Sequence, residues 1–131
     1  MTRTAAPALA LGLALALLRF DPVAAEYLPM PGAVLQGLDK ITARVSELTV
    51  RNGETVSFGG LAIRVDACNE RPPEEPPEAT AFIEIFDGKT QPPAELFRGW
   101  MFASSPAVSP FEHPIYDVRV LRCWAPDQER R

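Results

Sequence analysis

The feature that most constrains this fold is a series of short segments in which apolar residues recur at every second position. In the clearest one, Leu61, Ile63, Val65 and Ala67 share one face, while Cys68 falls on the other face unless the strand bulges. A period of two is the repeat of a β-strand. Similar segments cover residues 38–50, 55–58, 79–86, 96–103 and 116–124. They predict an all-β domain, a small antiparallel sandwich or barrel of about seven short strands.

Glycine and proline mark the turns between these segments. Asn52-Gly53 predicts a hairpin whose return strand begins at Thr55, and Gly59-Gly60 predicts a second tight turn. The period slips near Ser46, so residues 38–50 form either one strand with a bulge or two short strands. Residues 96–103 are apolar on both faces, which is typical of a central strand.

The first 25 residues have the order of a secretory signal peptide. Arg3 precedes an apolar run over residues 5–18, and Val23 and Ala25 occupy positions −3 and −1 of a cut before Glu26. An uncleaved membrane anchor is the alternative, but the run is shorter than the roughly 20 residues that cross a bilayer. No cysteine lies at the cut for lipid attachment. We therefore expect export to the periplasm by the general secretory route.

The expected domain organisation follows from this cut. Residues 1–25 are the signal peptide, 26–37 an extended arm, 38–124 a single β domain and 125–131 a flexible tail. Without the signal peptide the chain has 11 basic and 16 acidic residues, a net charge of −5. Its basic residues are scattered, so nucleic acid is not an expected partner, because phosphate binding needs several on one face. We also expect no membrane insertion after cleavage.

Two cysteines, Cys68 and Cys123, lie at the ends of strand-like segments 55 positions apart. In an oxidising compartment a disulfide between them is the favoured interpretation. A redox-active pair would normally be spaced as Cys-x-x-Cys, which this chain lacks.

Between the third and fourth strand segments lies an acidic, proline-rich stretch, residues 69–78. We interpret it as a solvated loop, with a ligand for a proline-recognition module as the alternative.

Several short motifs lie along the chain from residue 35 to 123. They are Gly37-Leu38-Asp39-Lys40, Gly53-Glu54-Thr55-Val56, Arg71-Pro72-Pro73-Glu74 after Cys68, Phe97-Arg98-Gly99-Trp100-Met101-Phe102-Ala103-Ser104-Ser105-Pro106, Glu112-His113-Pro114-Ile115-Tyr116-Asp117-Val118 and Leu121-Arg122-Cys123. Together they resemble domain-of-unknown-function family 2155, an uncharacterised family of exported proteins typical of alphaproteobacteria. The resemblance implies export, a single domain and paired cysteines, and it implies no particular activity.

The residues that could support catalysis are few. His113 is the single histidine, and with Ser104 or Ser105 it suggests a small periplasmic hydrolase as an alternative function. A serine hydrolase needs a nucleophile, a histidine, an acid and an oxyanion hole, and neither serine lies in a Gly-x-Ser-x-Gly elbow. Structural zinc normally takes four cysteine or histidine ligands. We therefore assign no catalytic residue, no metal site and no cofactor.

The leading hypothesis is a non-catalytic binding or assembly module of the cell envelope. Its partner would be another envelope protein, with a cell-wall glycan as the second choice; a stress factor of the envelope is not separable from this at the level of sequence. An aromatic side chain on the outer face of a sheet is a candidate contact. The candidate surface contains Trp100, Met101, Phe102, Ser104, Ser105 and His113.

Overall fold

The computed structural model describes residues 26–127 together with Thr4. Its elements are β1 (Leu28–Met30), β2 (Gly32–Asp39), β3 (Arg44–Arg51), β4 (Thr55–Phe58), β5 (Leu61–Glu70), β6 (Ala79–Asp87), β7 (Ala94–Phe102), a 3-10 turn (Pro106–Val108) and β8 (Tyr116–Trp124). The expectation of an all-β fold is confirmed. Over the described residues, no helix is long and apolar enough to cross a membrane.

Two antiparallel sheets face each other as a sandwich. The larger sheet has the order β1-β5-β6-β7, with β4 beside β1 on the same edge of β5, and the smaller sheet has the order β3-β2-β8. Alternate residues of each strand point into the space between the sheets, where they exclude water. The largest fully buried side chains are Leu35, Val50, Ile63, Val65, Cys68, Ile83, Ile85 and Cys123.

A bulge turns Cys68 into this core. The pairing of β5 with β6 shifts between Val65 and Ala67, so Asp66 is an extra residue on β5 and the period of two restarts after it. Cys68 then shares the inward face with Val65 and forms a disulfide with Cys123 of β8, with 5.7 Å between their Cα atoms. The disulfide therefore joins the two sheets, whose strands share no hydrogen-bonded ladder.

The extended arm predicted over residues 26–37 is wrong, because this segment contains β1 and most of β2. Strand β2 is the central strand of the smaller sheet, and Val34, which faces away from the core residue Leu35, is also buried. Burial on both faces removes the alternation that would have revealed the strand. A Cβ atom at Gly32 would lie 2.6 Å from the carbonyl oxygen of Val50, so the close approach of β3 requires glycine there.

The chain between β2 and β4 also differs from the prediction. Residues 40–43 form a turn, in which the carboxylate of Asp39 accepts the backbone N–H groups of Ile41 and Thr42 and Ala43 has a φ of 56°. The turn at Asn52-Gly53 is present, with a φ of 85° at Gly53. However, β4 pairs with β5 and not with β3, so this turn carries the chain from one sheet to the other instead of closing a hairpin.

Strand β7 is the edge strand of the larger sheet, whereas the sequence favoured a central position. Its inner face packs on the core through Phe97 and Met101, and its outer face carries other apolar side chains. The inner face is apolar because it packs on the core, whereas the outer face carries apolar side chains although it is not covered by another strand layer. Apolar residues on both faces therefore did not indicate a central strand here. Apart from Thr4, the predicted signal peptide lies outside the described residues, as does most of the predicted tail.

Candidate binding surface and cleft

The outer face of β7 presents an aromatic pair. Trp100 lies opposite Phe82 of β6, and their rings meet edge to face with centroids 5.4 Å apart and planes at 75°. The Trp100 residue is 40% exposed although its ring contacts Phe82. The guanidinium of Arg98 lies 5.9 Å from the Phe82 ring centroid. The face therefore combines a held, solvent-accessible indole with an adjacent cation.

A network of charges continues this face toward β5. Glu84 lies 3.5 Å from Arg98 and 3.9 Å from Arg64, and Arg64 lies 2.9 Å from Asp66 at the bulge. A hydrogen bond shared with Asp66 raises the pKa of Glu84 above its ordinary value, and desolvation and the charge of Asp66 act in the same direction. The two arginines partly oppose this rise. Glu84 thus lies between the guanidinium groups of Arg64 and Arg98 beside the aromatic pair, and the bulge residue Asp66 contacts both Arg64 and Glu84.

Not all predicted members of the candidate surface lie on this face. Met101 is 4% exposed and lies in the core, because successive residues of a strand point to opposite faces of the sheet. Its assignment to a surface is therefore corrected. Phe102 is half-buried at the end of β7, where its carbonyl oxygen accepts the N–H of Ser105 at 3.3 Å.

Ser104 is held by Glu78, the residue directly before β6. The Glu78 carboxylate accepts the hydroxyl of Ser104, the backbone N–H of Ser104 at 3.1 Å and the N–H of Ala79 at 3.0 Å. Desolvation alone would raise the pKa of Glu78, but these hydrogen bonds and the charge of Arg71 outweigh it and hold that pKa below its ordinary value. The hydroxyl of Ser104 thus serves to fasten a loop.

His113 is fixed at the other end of the sandwich. Its Nδ1 accepts the backbone N–H groups of Ile115 and Tyr116 at 3.1 and 3.2 Å. Its ring stacks on Phe111 with centroids 5.8 Å apart and tilts against Tyr116 at 5.3 Å. The backbone carbonyl of His113 accepts the ammonium of Lys40 at 2.8 Å. These contacts make His113 a support for the loop that enters β8.

The alternative of a hydrolase using Ser104 or Ser105 with His113 is incompatible with this arrangement. Ser104 lies in a cleft beside Glu70, at the end of β5, whereas His113 lies in a hollow beside Leu61, at its start. Nine residues of strand at about 3.4 Å each place these ends about 30 Å apart. A nucleophile and its base must come within hydrogen-bond reach, so these residues cannot act together.

A cleft of about 450 Å³ lies where the acidic proline-rich segment crosses the end of the sandwich. Its walls are mainly apolar, and its residues are Glu70, Arg71, Pro72, Pro73, Glu75, Pro77, Glu78, Ala79, Ala103, Ser104, Leu121 and Arg122. The sequence predicted only a solvated loop here. The repeated prolines indicated a stiff segment, but nothing local indicated that Leu121 of β8 would line a cleft with it. In the part of the chain that the structure describes, no group of three or more histidine, cysteine, aspartate or glutamate side chains could hold a metal ion.

Comparison with known proteins gives two matches. A family model described as "Uncharacterized protein conserved in bacteria (DUF2155)" matches residues 33–123. An uncharacterised protein of Rickettsia prowazekii (strain Madrid E) is 32% identical over 101 residues, which are 76% of this chain and 65% of that protein. The match thus covers slightly less than two thirds of the length of the relative. No solved structure matches this chain.

Proposed function

Because this chain belongs to the DUF2155 family of uncharacterised bacterial proteins, no activity is inherited with the fold, and we propose its function from the site. We propose that it is an exported, non-catalytic binding module of the cell envelope, which holds another envelope protein on the outer face of β7. The observation that carries this proposal is Trp100, 40% exposed on an edge strand and braced by Phe82.

The residue types on this face are those that dominate binding energy in protein interfaces. Tryptophan and arginine are enriched among the residues whose truncation costs most affinity, and Trp100 and Arg98 lie on the same face of β7. Phe82 already limits the motion of the indole in the free protein. Binding then costs less conformational entropy than it would for an unrestrained side chain.

The edge position of β7 supports an extended partner segment. The N–H of Ala103 donates to the carbonyl of Ala79, so this is a hydrogen-bonded pair. Starting from it, hydrogen-bonded and non-hydrogen-bonded pairs alternate along β7. The pair of Trp100 with Phe82 is then a non-hydrogen-bonded one, and the backbone groups of Trp100 point away from β6. A partner strand could pair with this edge while its side chains meet the indole.

Export is supported by the order of the first 25 residues and by the disulfide of Cys68 with Cys123, which persists in oxidising compartments. A non-catalytic role is supported by the structural contacts of Ser104 and His113 described above. The cell-wall glycan is the second candidate partner, and it differs from a protein in being unable to supply a β-strand.

Photo-crosslinking in the intact envelope tests the proposal. A photoreactive amino acid at position 100 should give one discrete protein adduct, which mass spectrometry identifies. The matched control carries the same amino acid at Val45, which is 58% exposed on β3 of the other sheet and should not give that adduct. Adducts of equal yield at both positions, or adducts only to glycan at position 100, would contradict the proposal.

A further inference from the structure

The turn between β3 and β4 places Asn52 directly before Gly53, an arrangement in which the asparagine side chain is open to attack by the next backbone nitrogen. Glycine has no Cβ to hinder that approach. We propose that Asn52 is a site of spontaneous deamidation that the fold keeps slow, and that its deamidation loosens β1. This inference goes beyond the proposed function and does not depend on Trp100.

The reaction needs water and no other reagent. The backbone nitrogen of Gly53 loses its proton to solvent and attacks the side-chain carbonyl carbon of Asn52, which expels ammonia and closes a five-membered imide. Water then opens the imide at either carbonyl, giving aspartate or isoaspartate, in which the chain continues through the side chain. The net change consumes one water, releases one ammonia and replaces a neutral amide by a carboxylate.

Hydrogen bonds hold both reacting groups in the folded chain. The N–H of Gly53 donates to the carbonyl of Val65 on β5 at 2.7 Å, and the side-chain amide of Asn52 donates to the carbonyl of Met30 on β1 at 2.9 Å. Loss of the Gly53 proton is disfavoured while the Val65 oxygen accepts it, because the nitrogen anion would then face that oxygen. The Asn52 side chain cannot reach Gly53 without leaving Met30. Both hydrogen bonds must therefore break before the ring closes.

The backbone of the turn also has the wrong conformation for ring closure. The N–H of Glu54 donates to the carbonyl of Arg51 at 2.9 Å, Gly53 has a φ of 85°, and the φ of Asn52 is negative. These features identify a type II turn, in which ψ of the first central residue is about +120°. The imide needs a negative ψ at asparagine, because only then does the next nitrogen lie beside the side-chain carbonyl. The turn must therefore change its backbone conformation before the reaction starts.

Asn52 also joins this turn to the junction of β1 and β2. Its side chain donates to Met30, and its backbone N–H donates to the carbonyl of Pro31 at 2.9 Å. A carboxylate at this position has no proton to donate, so it would face the Met30 carbonyl without a hydrogen bond. It would also add a second negative charge to the turn beside Glu54, whose carboxylate accepts the N–H of Arg51 at 3.2 Å. Deamidation therefore weakens the attachment of β1, a strand of 3 residues.

Peptide mapping by mass spectrometry after prolonged incubation at neutral pH tests the rate. The folded protein is compared with an acetylated and amidated peptide of residues 48–57, which has the same turn sequence without the fold. We expect the peptide to deamidate about 30-fold faster, because two hydrogen bonds, each contributing about a factor of five, must break in the protein. The internal control is Asn69, which precedes Glu70 and should stay unmodified while Asn52 reacts.

Amide hydrogen exchange of the Asn52→Asp variant tests the consequence. The amide of Met30, opposite Cys68 in the ladder between β1 and β5, should exchange about fivefold faster than in wild type, whereas that of Ile83 on β6 should change little. The deamidated fraction of aged wild type, separated by anion exchange, gives the same comparison for isoaspartate and replaces the variant if it does not fold. The inference is overturned if protein and peptide deamidate equally fast, if Asn69 reacts as fast as Asn52, or if the exchange of Met30 is unchanged.

Discussion

Removal of the disulfide between Cys68 and Cys123 should lower the free energy of unfolding by about 4 kcal/mol. The bond closes a loop with a sequence separation of 55, and the entropy that such a loop removes from the unfolded chain corresponds to about 4 kcal/mol at 25 °C. A domain of this size loses about 4–8 °C of melting temperature for each kcal/mol, so the expected decrease is about 15–30 °C. Urea unfolding of the Cys68→Ala, Cys123→Ala double variant measures the loss.

Alanine is the appropriate replacement because both sulfur atoms lie in the core, where a serine hydroxyl would be buried among apolar side chains. The control is the wild-type protein unfolded with and without reductant, which separates the crosslink from the lost sulfur volume. Because the disulfide is buried, reductant should act on it only as fast as the protein opens. A loss below about 1 kcal/mol in the double variant would refute the reasoning that the crosslink between the sheets stabilises the fold by restricting the conformations of the unfolded chain.

Three further predictions concern packing and pH. Met101→Ala should cost about 2–5 kcal/mol in the free energy of unfolding, since it empties a core position, and denaturant titration measures it. Gly59→Ala should cost more than about 1 kcal/mol, because φ is 55° there and a Cβ would lie 2.6 Å from Cζ of Tyr116; thermal unfolding checks this. The lowered pKa of Glu78 stabilises the fold above the ordinary glutamate pKa, and this contribution is lost as pH falls through the lowered value. Ser104→Ala should therefore flatten the acid side of the stability profile, measured by unfolding between pH 2 and about 6; a profile unchanged in shape would contradict the role given to that hydroxyl.

The strands that bury one face could be predicted from the sequence. Ile63 and Val65 of β5, and Ile83 and Ile85 of β6, follow the period of two because their sheet has one wet face. The sequence also indicated that Cys68 would point away from the core in a regular strand. A bulge was therefore the condition for turning it inward, and the bulge is present.

Strand β2 and the turn after it could not be predicted in the same way. Burial of both Val34 and Leu35 removes the period that identifies a half-buried strand. The turn at residues 40–43 has no glycine or proline, and its positive φ is at Ala43, a residue type that rarely adopts it. Its fastening by Asp39 becomes clear only from the hydrogen bonds.

The candidate sites depended on information that local sequence does not contain. An apolar strand such as β7 can be central or can lie at an edge, so the outward direction of Trp100 followed only from its pairing with Phe82. The distance between Ser104 and His113 follows from the course of β5, although only eight residues separate them in the chain.

Affinity for the partner captured at position 100 tests the central claim most directly. The measurement compares the dissociation constants of wild type, Trp100→Ala and Val45→Ala for the purified partner, at a temperature where melting curves show all three folded. We predict that Trp100→Ala weakens binding about 30-fold or more, the effect of losing about 2 kcal/mol at a dominant interface residue, while Val45→Ala leaves it unchanged. An unchanged dissociation constant for folded Trp100→Ala would contradict the claim that the outer face of β7 holds the partner.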